Sequence, residues 1–530
     1  MALVRSGIRR RPVLALAVVV LVAVVLAVVA VVVWSGATLA GDPNALARLK
    51  IDAFGGKLVS ASAVDSQGHS VPLTIAQGRL TPRTQVSPGE RISVEVVLKR
   101  PGWLGWALGD THRERLSVDA PVPQISDRWL TVPAGSQLPV HFAEPVTSVA
   151  YLSGGRLQRR QISPASASVS LPRTGASGSI QVAASIHSWE RLTRPVTVTW
   201  FPPSRRPAAV ASPRLGADTS PLGQIRLTLS KPLHEALGSQ RPKLTPKVAG
   251  HWSEPDSHTL VFTPTGFGAG LGSHVQMQLP RAVAIDGKET RQLEWIVPPG
   301  STTRLQQLLA EGGYLPVAWK PAVTTPETTW QEQLAAAVNA PEGDFSWRYG
   351  NVPPELKRLW KPGEPNEATR GAVMMFQDEH HLTVDGIAGP RVWHSLIADT
   401  LAGKRRDAGY SYVYVHRRVP QSLNLWHNGH KVLSSPGNTG VPAAPTQLGT
   451  FPVFEHIPVG TMSGTNPDGS KYHDPGIRWI SYFNGGDAIH AFNRASFGTP
   501  QSLGCVELPL ASAKKVWPYT PIGTLVTIEN

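Results

Sequence analysis

Along the chain, apolar positions fall into three regimes. Residues 13–34 carry no charge and are nearly all Val, Ala and Leu. A helix of that length is about 33 Å long, enough to cross a hydrocarbon core of about 30 Å. From about 45 to 300 the pattern is short alternating runs broken by Gly, Pro and Ser. Ile92-Ser93-Val94-Glu95-Val96-Val97-Leu98 reads as a strand, as do 195–201, 225–230 and 274–279. Period-two alternation puts the apolar side chains on one face of a sheet, and closely spaced turn signals predict β-sandwiches. After 300 the period changes. Leu305, Leu308 and Leu309 recur at helical spacing up to Gly312-Gly313, a second helical stretch covers 369–377, and a third carries Val392, Trp393 and Leu396. From Tyr412-Val413-Tyr414-Val415 strands return. Leu423-Asn424-Leu425-Trp426 and Lys431-Val432-Leu433 flank Asn428-Gly429, a strong hairpin signal.

Proline-rich breaks near 121–123, 202–203 and 298–300 divide the chain. The predicted fold class is multidomain and mainly β. Its order is a tail at 1–12, a transmembrane anchor at 13–34, Ig-like modules at 45–120, 121–202 and 203–299, a small helical domain at 300–402, and a β-rich domain at 410–530. The β modules carry no evident chemical constellation and are expected to act as spacers. The helical domain holds an insertion at 317–367. Arg5, Arg9, Arg10 and Arg11 precede the apolar segment, and the next basic residue is Arg48. By the positive-inside tendency the tail is cytoplasmic and the remainder is exported. A cleaved signal peptide with a cut near Ala40 is the alternative. Its apolar region usually spans about 7–15 residues, which favours an uncleaved single-pass anchor.

Composition narrows the classes further. Charged residues make up 17% of the chain and the formal net charge is +14. A basic exported protein meets an anionic wall or membrane as readily as nucleic acid, so no nucleic-acid partner is expected. Nothing in the sequence sets an oligomeric state. The single cysteine excludes an internal disulfide and a Cys-rich zinc site. Asp378-Glu379-His380-His381 has no matching ligand cluster and is expected to be a solvated helix end.

The candidate chemistry lies near the carboxyl terminus. Cys505 follows Gly504, and a glycine there permits close backbone approach with successive N–H groups aimed at one point. His490 lies 15 residues upstream in a strand-like run. A lone Cys with a His is the minimal nucleophile–base arrangement, while a free Cys is also often a small buried apolar residue.

Around these residues the sequence resembles a known family. Residues 410–530 are similar to the YkuD-type L,D-transpeptidase catalytic domain. Its signature is a His, a spacer, then Ser/Thr-His-Gly-Cys, a hydrophobic residue and Arg or Asn. His490, Ser502, Gly504, Cys505 and Val506 match it. Leu503 stands where a second His is usual, Glu507 where Arg or Asn is usual, and the eleven residues between His490 and Ser502 are fewer than usual. The segment 300–402 resembles a three-helix peptidoglycan-binding domain through Asp385-Gly386, Gly389-Pro390 and the Trp393 helix.

The resemblance implies a cysteine acyltransferase of the cell wall that acts on peptidoglycan stem peptides and needs no metal or organic cofactor. In it Cys505 is the nucleophile, His490 the base, and the N–H groups of Gly504 and Cys505 hold the oxyanion. Ser502, Tyr472 and Glu507 are the expected substrate contacts, with Trp479 as a further pocket residue. Glu507 would either oppose thiolate formation or recognise a cationic substrate group. Two alternatives stay open: an L,D-carboxypeptidase using water, and a catalytically silent, membrane-tethered wall-binding protein.

Overall fold

The computed structural model describes residues 11–153, 155–323 and 327–530. The basic tail residues Arg5, Arg9 and Arg10 lie outside the described residues. The chain is mainly β, with several separate sheets. Its contacts divide it into two units. One runs through Val210 with the short segments Leu229–Lys231 and Ala284–Glu289. The other comprises Ala211–Thr228, Pro232–Val283 and Thr290–Asn530.

The first unit opens with the helix Arg11–Val33, whose stretch Ala15–Val33 has a mean hydropathy of 3.6 and none of its surface buried. Two sheets follow. One orders Ala37–Asp42, Ala45–Ile51, Arg79–Pro82 and Leu73–Ala76, and the other orders Lys57–Val64, Arg91–Lys99 and Thr111–Asp119. The strand Arg91–Lys99 shows why they pack. Ile92, Val94, Val96 and Leu98 are fully buried while their neighbours face outward. Each such side chain contributes about 1.5–3 kcal/mol by leaving water. The next module is one five-stranded sheet built on a long hairpin of Leu138–Ser153 with Arg156–Leu171. Register shifts near Ser166 break the ladder, and Val140 and Val149 from one strand enter the same core.

In the second unit residues 225–228 pair with 259–262, and 243–245 pair with 276–278. Three helices come next, Thr302–Glu311, Glu367–Glu379 and Pro390–Leu401. Their apolar stripes, with Leu308, Leu309, Phe376, Trp393 and Leu396, form one core. The described residues of the expected insertion, 317–323 and 327–367, hold strands and helices. Val317–Pro321 pairs with Gly343–Trp347, and Leu334 and Leu356 from its two helices enter the same core. Tyr410, Tyr412, Trp426 and Leu525 enter it too, so the helices and the last β region share one apolar interior. At that seam Gly371 of a helix and Gly523 of a turn meet backbone to backbone, and a Cβ on either would collide with the other's carbonyl. Replacing Gly371 with valine is expected to lower the thermal midpoint by several degrees, at a cost of about 1–3 kcal/mol for overpacking.

The charged run after Phe376 differs in part from a solvated helix end. Asp378, Glu379 and His381 are exposed, but the half-buried His380 stacks on Phe376 and bonds the Asp399 carboxylate at 2.6 Å.

The carboxyl-terminal β region has two sheets. One orders His430–Pro436, Ser422–His427, Ser411–His416, Leu525–Glu529 and Gly449–Pro452. The hairpin turn between its first two is at Asn428-Gly429, both with positive φ. The second sheet orders Glu455–Thr465, Lys471–Asn484, Asp487–Ala491 and Val506–Leu508. Val413, Val415 and Leu425 from the first meet Ile489, Ala491, Val506 and Leu508 from the second, closed by Ala513 and Val516 of the helix Leu510–Val516.

Candidate active site

Two short parallel strands position the reactive residues. Asp487–Ala491 pairs with Val506–Leu508 so that Ile489 meets Val506, His490 meets Glu507 and Ala491 meets Leu508. Successive side chains in a strand alternate faces. Ile489, Ala491, Val506 and Leu508 face the core. His490 and Glu507 therefore turn to the opposite face, and so does Cys505, two residues before Glu507. That face opens on a cleft of about 930 Å³, lined by Cys505, His490, Glu507, Ser502, Leu503 and Tyr472 among others. Parallel strands cannot be joined by a tight turn, so the segment 492–505 must loop across before delivering Cys505.

Gly504 sits at φ +119°, and a Cβ there would strike the Asp487 carboxylate. Its carbonyl accepts from the Thr446 hydroxyl at 2.7 Å, and the Thr446 hydroxyl oxygen in turn accepts from the Gly440 N–H at 2.9 Å. Residues 438–446 thus clamp the Cys505 turn from below. The Ser502 hydroxyl donates to the Cys505 carbonyl, while the Ser502 N–H donates to Thr439. Ser502 is buried, and the contacts it makes shape the turn. Replacing Gly504 with alanine is expected to destabilise the protein by about 1–3 kcal/mol through backbone strain. Thermal unfolding reads this loss, and thiol labelling reads the displaced Cys505.

The electrostatics favour neutral groups at rest. The half-buried Cys505 thiol donates to the Gly486 carbonyl at 3.6 Å. Burial pushes its pKa up to about 12, helped by the Asp487 and Glu507 carboxylates and opposed by a hydrogen bond from the Ala488 backbone. His490 is buried, and burial holds its imidazole below the usual histidine range. Its Nδ1 lies 3.0 Å from the Ala491 carbonyl. A carbonyl only accepts, so Nδ1 carries the hydrogen and Nε2 is left as the basic nitrogen. The site is thus a neutral thiol and a neutral imidazole, not a preformed ion pair.

Glu507 opposes thiolate formation, as one of its two expected roles has it, but it is not a free anion for a cationic substrate group. Its side chain is only 5% exposed and both carboxylate oxygens accept from Arg494, at 2.7 and 2.8 Å. Arg494 Nη2 also donates to the Gln501 carbonyl at 3.1 Å, and the guanidinium lies 4.5 Å over the Phe492 ring. Charge-assisted bidentate pairs of this kind are the stronger hydrogen bonds. Arg494 is 31% exposed and lines the cleft.

Residues 410–528 match the YkuD family, the L,D-transpeptidase catalytic domain. No curated protein is significantly similar to the chain. Among solved structures, an L,D-transpeptidase from Mycobacterium smegmatis is 12% identical, with 61% of this chain and 100% of that one covered and a TM-score of 0.21. L,D-transpeptidase 3 from Mycobacterium tuberculosis is 11% identical, with 61% and 99% covered and a TM-score of 0.21. The catalytic domain of the E. faecium L,D-transpeptidase is 24% identical, with 23% and 100% covered and a TM-score of 0.21. At these TM-scores the weight rests on the family match and the site.

Within the YkuD domain, Cys505, His490, Ser502, Tyr472 and Glu507 are brought to one cleft, and Gly504 supports its floor. Tyr472 pairs with Gly464 across the long hairpin, and its ring covers the space a Cβ on Gly464 would need. Trp479 does not line the cleft. It packs against the apolar core of the other face, because its strand position turns it there. Arg494 and Asp487 escaped the sequence reading. Arg494 alone left a trace, as a cation near a histidine with an unmatched acidic residue downstream.

Proposed function

We propose that the chain is a membrane-anchored L,D-transpeptidase that joins peptidoglycan stem peptides by 3→3 cross-links through a Cys505 thioester. The observation that carries this reading is His490, with Nδ1 committed to the Ala491 carbonyl, sharing one cleft face with Cys505. His490 Nε2 takes the thiol proton as sulfur attacks the carbonyl carbon of the third stem residue. The N–H groups of Gly504 and Cys505 hold the resulting oxyanion, and one such donor supplies about 3–4 kcal/mol. The amide to D-Ala breaks, its nitrogen takes the proton from His490, and D-Ala leaves. The side-chain amine of a second stem then attacks the thioester. An amide forms, the C–S bond breaks, and Cys505 recovers its proton. In this reading the apolar helix 13–34 anchors the chain with its amino terminus inside, the β modules lift the enzyme, and the helical domain 300–402 binds the wall.

Glu507 is spent on Arg494, so the pair presents a guanidinium, with Nη1 free of the carboxylate, where a signature Arg is usual. Arg494 then pairs with a carboxylate of the stem peptide. Arg494→Ala is expected to raise KM about 10–100-fold, the loss of one charged hydrogen bond, with a much smaller change in kcat.

The deciding experiment incubates the full chain with a tetrapeptide stem and follows products by mass spectrometry. The proposal expects Cys505 to gain the stem less D-Ala, and a cross-linked dimer to follow. Tripeptide without dimer would assign an L,D-carboxypeptidase. The high thiol pKa favours the silent wall-binding reading, and absence of both adduct and product would remove the enzyme reading in its favour.

A further inference from the structure

The first β module carries an aromatic tip at one end of its three-stranded sheet. Residues Gly102–Leu108 form a short helix between the strands Arg91–Lys99 and Thr111–Asp119. Leu104 is buried inward. Trp103 and Trp106 are 56% and 86% exposed. Three residues apart on a helix, they share one face. Arg100 fixes the helix end, its guanidinium donating to the carbonyls of Leu108 at 2.6 Å and Gly109 at 3.2 Å.

This tip adjoins the end of the apolar helix. Trp34, 56% exposed, closes that helix, its N–H bonded to the Ala30 carbonyl. The Trp34 carbonyl accepts from the Phe54 N–H at 3.0 Å, and the Phe54 ring meets Trp103 edge-on at 5.9 Å between centroids. Three exposed tryptophans thus gather where the apolar helix ends. Tryptophan prefers the boundary between hydrocarbon and headgroups, where its ring is buried and its N–H stays wet. Charge points the same way. The exposed Lys57 and Lys99 stand directly opposite each other at this end of the sheet. Opposed like charges are destabilising unless an anion relieves them. Asp110 is the exposed acidic residue at the tip.

We propose that Trp103 and Trp106 form a foot that inserts into the headgroup region of the membrane crossed by the apolar helix, with Lys57 and Lys99 meeting anionic lipid. The inference rests on the anchor reading of residues 13–34. Two attachments in place of one would hold the first module at a set angle instead of letting it swing about the helix end.

The test uses the full chain in vesicles of phosphatidylglycerol and phosphatidylcholine. In a Cys505→Ser background a nitroxide label is placed by Trp106→Cys, or by Gln67→Cys at the opposite end of the sheet. Flotation with the vesicles comes first, since a chain that stays in solution fails the anchor reading itself. In chains that float, the label at 106 is expected to meet dissolved oxygen more than a water-soluble nickel chelate, and the label at 67 the reverse. Equal aqueous exposure at both positions would overturn the foot and leave the anchor standing. A second measurement keeps both tryptophan sites aromatic. Quenching of the chain's fluorescence by brominated lipid is expected to fall in Trp103→Phe/Trp106→Phe. An unchanged amplitude would likewise overturn the foot.

Discussion

Cys505→Ala is expected to abolish both the covalent adduct and turnover. A carbapenem is the simplest probe, because its strained carbonyl accepts the same attack as the substrate amide. Wild-type chain is expected to gain one carbapenem mass, and Cys505→Ala none. Cys505 is the only thiol in the sequence, so no other sulfur nucleophile can stand in. Removing a nucleophile from an acyl-transfer site lowers kcat on the order of 10⁶-fold. The fold is expected to tolerate the change. Sγ is half-buried against Ile477, Ile480 and Ala488, and alanine removes one atom without burying a polar group. An adduct on the alanine variant, or a wild-type chain that stays unmodified, would remove Cys505 from its role.

The second large effect belongs to His490. With burial pushing the thiol pKa well above its ordinary value, little thiolate stands ready at pH 7. The reaction therefore needs a base at the moment of attack, and His490→Gln is expected to slow acylation by about 10²–10⁴-fold. Glutamine can still donate a hydrogen bond towards the Ala491 carbonyl, so a purely structural role would be largely rescued. Two readouts separate the roles. In the variant the rate should rise about tenfold per pH unit, because only spontaneous ionisation remains. In wild type the rate should be flat near neutrality and fall in acid. Burial lowers the His490 pKa, so the neutral base persists below the ordinary imidazole range and the acid limb lies below about 6.5. A wild-type limb above that value would contradict the buried neutral imidazole.

Glu507 links these effects. Its carboxylate raises the Cys505 pKa and also holds Arg494. Neutralising it in Glu507→Gln is expected to speed thiol alkylation at fixed pH while weakening substrate binding, because Arg494 loses its bidentate partner. Opposite changes in the two readouts are what a paired carboxylate predicts.

Local pattern alone determined a good deal of this protein. Twenty-two uncharged residues can only be a long apolar helix, and the alternation from Ile92 to Leu98 can only put four aliphatic side chains on one face. Asn428-Gly429 marks its hairpin because both residues tolerate positive φ. The types and spacing of His490, Gly504 and Cys505 named the candidate chemistry. Which faces meet is a different kind of information. The parallel register setting His490 beside Glu507, the Arg494 guanidinium across that carboxylate, and Thr446 under Gly504 join residues far apart in sequence, from turns without a period of their own. The burial of Leu334 and Leu356 in the helical core and the inward turn of Trp479 likewise follow from packing against partners that neighbouring residues do not specify. Only the folded chain brings those partners together, because hydrophobic periodicity encodes the direction a side chain takes and not what it will find there.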